Sequence, residues 1–449
     1  MDMTKGSLWN KILIFALPLA ACSILQQLFN SADVAVVGRF AGSEALAAVG
    51  GNGSVIALLI NLFTGLSVGA NVVISAYVGK KDQDKVKEAV HTVFVVALLS
   101  GGFLVLLGGL VAEPLFTFMG TPKEVLRLAV LYLRIYFCGM PFAMIYNFGS
   151  AILRSVGDTR RPLYCLILSG IINVILNLIF VVGFRLSVVG VALATVLANG
   201  VSATLMVYYL THAKGEQEII RLDLHSLRLK REHVISVIKI GAPAGIQGMV
   251  FSFSNVCIQS GINSFGTNAI AGSSIELNYE YITYFMSSAF AQSAVTFTSQ
   301  NFAAGEYQRC RKVWGLCSAF GIGITGLMSL ICVGGREFFI GIFSKSPLVA
   351  EFASIRFLRV ELFEWMTCIY EVMGGVLRGR GKSLTPALIT LFGSCGLRML
   401  WIYTVFEKYN SFSSLMTVYP VSWIITSIGM FVAFIYIWKK STLFFKITR

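Results

Sequence analysis

Runs of about twenty apolar residues recur along this chain, each long enough to cross the roughly 30 Å hydrocarbon core of a bilayer as a helix. Twelve such spans are read, at 12–38, 47–78, 90–111, 128–153, 162–184, 189–211, 235–262, 268–300, 312–333, 353–377, 385–405 and 412–438. They are too long for buried strands and lack the two-residue alternation of a membrane barrel. Only 13% of the 449 residues are charged, about half the share in a soluble domain. A soluble fold that apolar would need a larger core than single domains build. The expected fold is therefore an all-α polytopic membrane protein with twelve transmembrane helices.

The formal charge of +14 would suggest nucleic acid in a soluble protein. Here the cations follow the membrane. With a cytoplasmic N-terminus, alternate connections carry Lys80, Lys81, Lys85 and Lys87; Arg154, Arg160 and Arg161; Arg309, Arg311 and Lys312; Arg378, Arg380 and Lys382. The central connection adds Lys214, Arg221, Arg228, Lys230, Arg231 and Lys239, and the termini add Lys5, Lys11, Lys439, Lys440, Lys446 and Arg449. In all, 25 of the 36 basic residues fall on that side. Such asymmetry places both termini in the cytoplasm and accounts for the charge without a nucleic-acid partner.

Nine scattered cysteines form no CxxC pair, and the four histidines sit at connections, so no metal site is expected. The first apolar run continues too far for a signal peptide and is read as retained. No phosphate-binding GxxxxGK[ST], no HExxH and no Ser/His/Asp arrangement argues for an enzyme or an attached ATPase. No cofactor is expected beyond a coupling ion.

The chain repeats itself. Leu153–Pro162 (LRSVGDTRRP) matches Leu377–Pro386 (LRGRGKSLTP), aligning Arg154, Gly157 and Pro162 with Arg378, Gly381 and Pro386 at a separation of 224. Residues 16–20 around Pro18 agree loosely with 241–245 around Pro243, and Gly79-Lys80-Lys81 with Gly305-Glu306-Tyr307. Each half holds an even number of spans, so both enter from the same side and are related by an axis along the membrane normal. The expected organisation is two pseudo-symmetric six-helix lobes, 1–211 and 235–449. The linker, 212–234, is either an amphipathic helix on the anionic cytoplasmic surface or a solvated tether.

An ionisable side chain at the bilayer centre costs roughly 2.5–3.5 kcal/mol on insertion scales, so such residues are candidates for function. Asp33 stands alone in span one, fifteen residues after Pro18, which permits a bend there. Desolvation penalises the charged form of a buried carboxylate, as a proton-loading group requires. The alternative is an acid at the outer mouth paired with Arg39. Asn173 and Asn177 lie four apart on one face of span five, and an amide can serve either protonation state of a carboxyl. Thr195 in span six is a weaker candidate, since threonine often bonds its own helix. The second half carries Glu276 and Glu280 in span eight, and Glu361, Glu364 and Glu371 along one stripe of span ten. These should face a cavity or pair with Arg359 and Arg398, and some are expected to contact a cationic substrate. Counting Arg134, Arg359 and Arg398 within the spans against six acids favours cationic cargo.

Pro18, the segment Asp33-Val34-Ala35-Val36-Val37-Gly38-Arg39, and Ala45–Gly50 (ALAAVG) resemble the opening of the multidrug and toxic compound extrusion (MATE) transporters. The LRSVGDTRRP segment and its repeat look like that family's cytoplasmic signature. The resemblance implies the MATE fold and an exchange of Na⁺ or H⁺ for organic cations and other xenobiotics. It also implies that Asp33 is networked with Asn147, Asn173, Asn177 and Thr195, and that Pro18 is the bend of helix one. One family pattern puts a glutamate in helix seven; here Phe251, Ser252 and Phe253 stand there, which shifts weight to Asp33.

The expected function is a secondary antiporter exporting small amphipathic organic cations, probed against two rivals. A lipid-linked oligosaccharide flippase should show more cations within its lumen. A channel or non-transporting receptor should lack duplicated lobes with buried acids. By the same resemblance the setting is a bacterial plasma membrane; nothing in the sequence demands more than a monomer.

Overall fold

The computed structural model describes residues 1–118 and 123–447. Arg449 and the side chains of Lys440 and Lys446 lie outside that description. Among the described residues there is no strand. The helices of the first half are α1 (Leu8–Phe40), α2 (Ser43–Lys80), α3 (Gln83–Phe118), α4 (Lys123–Cys138), α5 (Met140–Ser155), α6 (Arg160–Asn177) and α7 (Ser187–Thr211). The second half continues with α8 (Arg231–Asn263), α9 (Thr267–Ala303), α10 (Tyr307–Gly334), α11 (Arg336–Phe343), α12 (Pro347–Arg359) and α13 (Trp365–Gly379). It ends with α14 (Leu384–Thr390), α15 (Leu397–Trp401), α16 (Glu407–Tyr409) and α17 (Phe412–Ile447).

These segments form twelve rods, and the twelve expected spans fall within them to about a residue. α4 and α5 are one rod bent by 49°, at Gly139 and just before Pro141, which cannot supply the backbone donor a continuous helix needs. A single 3₁₀ turn, Glu361–Phe363, joins α12 to α13, and π turns at Leu391–Gly396 and Ile402–Phe406 join α14, α15 and α16. Among the described residues nine helices are long and apolar enough to cross a membrane, or ten with the bent pair counted as one. The two rods that fall short are α9 and α12–α13, which carry Glu276 and Glu280, and Glu361, Glu364 and Glu371. Their polar cargo dilutes the hydropathy that marks the others.

The residues divide into two compact units. Unit one is Met1–Asp2 with Ala21–Gly245; unit two is Met3–Ala20 with Ile246–Arg449. The border thus runs inside α1 and α8, two residues after Pro18 and after Pro243 respectively. Each proline removes one intrahelical hydrogen bond at the place where its helix changes partners.

The duplication is visible in the backbone. Gly42 and Gly266 precede α2 and α9 with φ 90° and 85°, a conformation that penalises any residue with a Cβ. Gly157 and Gly381 follow α5 and α13 with φ 84° and 77°. At both places the glycine N–H bonds back to Arg154 or Arg378, and the next N–H bonds to Leu153 or Leu377, a Schellman cap. The same cap closes α2 at Lys81 and α9 at Gly305. All three pairs share the separation of 224, which corrects the loose match of Gly79 to Gly305: the residue equivalent to Gly305 is Lys81. The π turns at Leu178–Gly183 and Ile402–Phe406 also start 224 apart.

The linker holds a 3₁₀ helix, Gly215–Ile220, and is docked on unit one rather than a free tether. Ile220 and Leu222 are buried in unit one, and the Leu222 N–H extends the end of α7 by bonding the Leu210 carbonyl at 3.0 Å. Gln217 takes a bond from Arg161 and donates to Asp158 at 2.9 Å. Thr92 accepts from the Lys230 N–H and donates to the Arg228 carbonyl, both at 3.2 Å. Lys230 Nζ meets Glu88 at 2.5 Å, and this bond holds the Glu88 carboxyl below the ordinary glutamate range. A depressed acid stabilises the docked form above that ordinary range and loses the contribution as pH falls through the lowered value. Sequence periodicity missed the docking because its two apolar anchors are separated by a single residue.

Docking predicts that Arg221, Arg228 and Arg231 resist trypsin in the purified protein at neutral pH. Ile220→Ala should cost about 2–5 kcal/mol of local packing and make the linker cleavable. Equal cleavage of wild type and variant would show that the linker is not docked.

Candidate functional site

Asp33 lies in the C-terminal half of α1, in unit one, with 7% of its surface exposed. Gly170 on α6 leaves room for the Phe29 ring of α1, one turn before Asp33. Asn177 Nδ2 donates to Asp33 Oδ1 at 2.5 Å and lies 3.1 Å from Asn173 Oδ1. Thr195 Oγ1 reaches Asp33 Oδ2 at 3.3 Å and bonds the Val191 carbonyl at 3.0 Å. Asn173 Nδ2 closes the ring on Thr195 Oγ1 at 3.4 Å. A single hydroxyl proton cannot serve both the Asp33 and the Val191 oxygens strongly, so the Thr195 tie is the weaker of the two. Asn177 Oδ1 has no partner among the described residues. That residue ends α6, where the backbone widens into the π turn, a distortion common at functional sites.

The structure therefore brings together four of the five residues expected around helix one. Asn147 is the exception: its Nδ2 bonds the Ala143 carbonyl one turn back at 3.0 Å, and among the described residues no hydrogen bond joins it to Asp33. The alternative partner, Arg39, makes no ion pair with Asp33 among the described residues, and its guanidinium lies over Phe40. Two groups went unnoticed in the sequence. Tyr132 and Tyr136, stacked on α4 with ring centroids 5.9 Å apart, stand close enough to interact electrostatically with Asp33. Their spacing of four was the available signal, but aromatic pairs at that interval are usually packing.

Unit two holds a second polar cluster. Glu276 pairs with Arg356, whose Nη2 also donates to Glu280 at 2.7 Å. Arg356 was missed in the sequence although span ten contains it; the expected partner, Arg359, makes no ion pair among the described residues. Glu361 accepts from Thr283 at 2.8 Å, and Glu371 lies 3.7 Å from Arg378. Among the described residues Arg398 has no carboxylate within salt-bridge range. It bonds Asn255 and Ser422 and lies between the Phe251 and Tyr419 rings. The buried atoms without partners among the described residues include Glu276 Oε1, Glu361 Oε2, Glu364 Oε2, Arg378 Nε and Arg398 Nη2. Glu361 and Glu364 are therefore the two carboxyls that no arginine engages directly.

The separation of 224 relates the two clusters position by position. Glu276 stands where unit one has Asn52, Arg356 where it has Tyr132, and Glu371 where it has Asn147. In return Asp33, Asn173, Asn177 and Thr195 correspond to Cys257, Leu397, Trp401 and Tyr419. The carboxyl–amide network thus belongs to one half alone. No group of three or more potential metal ligands occurs among the described residues.

The MatE family model matches the chain twice, over residues 18–179 and 243–404. The chain is 24% identical over 446 residues to the probable multidrug resistance protein YoeA of Bacillus subtilis (strain 168), covering 97% of this chain and 96% of that protein. It is 26% identical over 409 residues to the probable multidrug resistance protein NorM of Thermotoga maritima, covering 89% and 86%. A solved structure described as the outward-facing conformation of a multidrug resistance MATE family transporter of the MOP superfamily superposes with a TM-score of 0.89 at 20% identity, over 96% of both chains.

Removing Arg356 should be severe, because it strands the buried Glu276 carboxylate and the partly buried Glu280. Arg356→Met is expected to destabilise the protein by about 3–5 kcal/mol, read as a drop in thermal unfolding temperature in detergent. Glu276→Gln in the same protein should recover part of that loss. An unchanged unfolding temperature in Arg356→Met would mean the pairs contribute nothing.

Proposed function

Because the chain belongs to the MatE family, we propose that it is a secondary antiporter exporting small amphipathic organic cations in exchange for H⁺ or Na⁺. The observation that carries this reading is the buried Asp33 carboxyl, held by Asn177 and Thr195 from two other helices of the same unit. The charge-assisted Asn177 bond contributes about 1.5–3 kcal/mol, and the Thr195 tie, whose proton is shared with Val191, contributes less. The cost of the buried charge is roughly 2.5–3.5 kcal/mol. Two terms of similar size and opposite sign leave the position of α1 open to control by one proton or cation.

In the cycle proposed, Asp33 without its ion keeps the Asn177 bond and α1 stays in register with α6. Protonation removes the charge that strengthens that bond, and Na⁺ would compete for the same oxygens; either frees the outer half of α1 to move, with Pro18 as the bend. Cargo leaves as the ion is taken up. Coupling requires that ion and cargo favour different positions of α1, since equal affinity for both would shift nothing. Glu361 and Glu364 are the carboxyls proposed to meet a cationic cargo, with aromatic surface supporting its apolar part. Glu276 and Glu280 are engaged by Arg356, and Glu371 by Arg378, so their proposed contribution is to set the local field.

The proposed setting is a bacterial plasma membrane with both termini cytoplasmic, following the distribution of basic residues. The proposed working form is a monomer that needs no cofactor and carries out no bond chemistry.

In proteoliposomes, a fluorescent organic cation should move uphill when a pH or Na⁺ gradient is imposed. Asp33→Asn should abolish gradient-driven movement while the protein still folds. Full activity of Asp33→Asn would remove Asp33 from coupling and turn attention to Glu361 and Glu364.

A further inference from the structure

The contact between Phe29 and Gly170 does more than fill space. Gly170, Asn173 and Asn177 lie at i, i+3 and i+7 on one stripe of α6, and Phe29 and Asp33 at i, i+4 on one stripe of α1. A side-chain carbon built on Gly170 would fall among the Cε2, Cζ and Cδ2 atoms of Phe29. No other residue type leaves that socket open. The ring is half-buried and packs on the unit-one core. One turn further along α1, Asp33 meets Asn177 of α6 at 2.5 Å.

The other half of the chain supplies a built-in comparison. At the equivalent positions, Ser394 replaces Gly170 and Phe253 replaces Phe29. Ser394 bonds Thr426 at 2.8 Å, and Phe253 is 56% exposed. The socket is closed there, the ring is turned out, and the carboxyl is absent too, Asp33 being replaced by Cys257. Socket and carboxyl occur together in one half and are missing together from the other.

We infer that Phe29 and Gly170 form a seat that registers α1 on α6, making both of them positioning residues for the Asp33 coupling site. The inference deepens the proposed antiport and rests on it, since the seat matters to transport only if Asp33 does. Leaving the Asn177 bond requires the ring to shift in or out of its socket, so the socket's size sets how easily α1 moves.

The test compares Gly170→Ala, Phe29→Ala and the double variant Gly170→Ala with Phe29→Leu, all checked for thermal stability. Two readouts are taken across pH: dye transport in proteoliposomes, and the rate at which dicyclohexylcarbodiimide modifies Asp33, located by peptide mass. The second needs no transport, so a failure of antiport and a failure of the seat are told apart. Either single variant should raise the modification rate about tenfold, equivalent to about 1.4 kcal/mol, and alter the pH profile of transport. The double variant should return both toward wild type. A modification rate and pH profile unchanged in both single variants would overturn the inference. So would a double variant no closer to wild type than Gly170→Ala alone.

Discussion

Within a bilayer a polar group that loses one partner finds another only on a neighbouring helix, because the solvent supplies none. The arrangement around Asp33 follows from that. Its two oxygens are met by Asn177 from the end of α6 and Thr195 from α7, and Asn173 bonds both of those partners. Each bond ties α1 to a helix that backbone hydrogen bonding alone would not hold in register. A change in the charge of one carboxyl is therefore felt as a change in how three helices are joined.

The second unit meets the same constraint with charges of both signs. Arg356 balances Glu276 and Glu280, and its guanidinium shares the Tyr419 ring with Arg398 at 5.6 and 4.5 Å. Such a cluster is costly to assemble and more costly to break, since a single deletion leaves a buried charge without its partner. The two units thus start from a shared backbone, with equivalent caps at Gly157 and Gly381, and diverge in what their interior positions carry. Asn52 and Glu276 occupy equivalent sites; one bonds backbone carbonyls, the other an arginine.

Much of the fold was legible because membrane helices and duplications leave strong marks. The apolar runs located the rods, and the LRSVGDTRRP repeat carried the register later seen in the caps at Lys81 and Gly305. Asp33, Asn173, Asn177 and Thr195 were found because polar residues in apolar spans are few. Asn147 was placed with them by resemblance, yet it satisfies its amide on its own helix through Ala143, an option no spacing rule excludes. Arg356 was overlooked because it stands near the edge of a span in the sequence, whereas the fold buries it completely. Tyr132 and Tyr136 carry only a spacing of four, which packing pairs share, and nothing in that spacing points to Asp33.

The central claim is that Asp33 links ion occupancy to cargo occupancy, and equilibrium binding measures that link without requiring turnover. Binding of tetraphenylphosphonium to the purified protein would be followed by calorimetry while pH and Na⁺ are varied separately. The account predicts that acid or Na⁺ weakens binding in the wild type and that Asp33→Asn binds with an affinity indifferent to both. An affinity in the wild type that ignores both ions, or an equal dependence in Asp33→Asn, would contradict it.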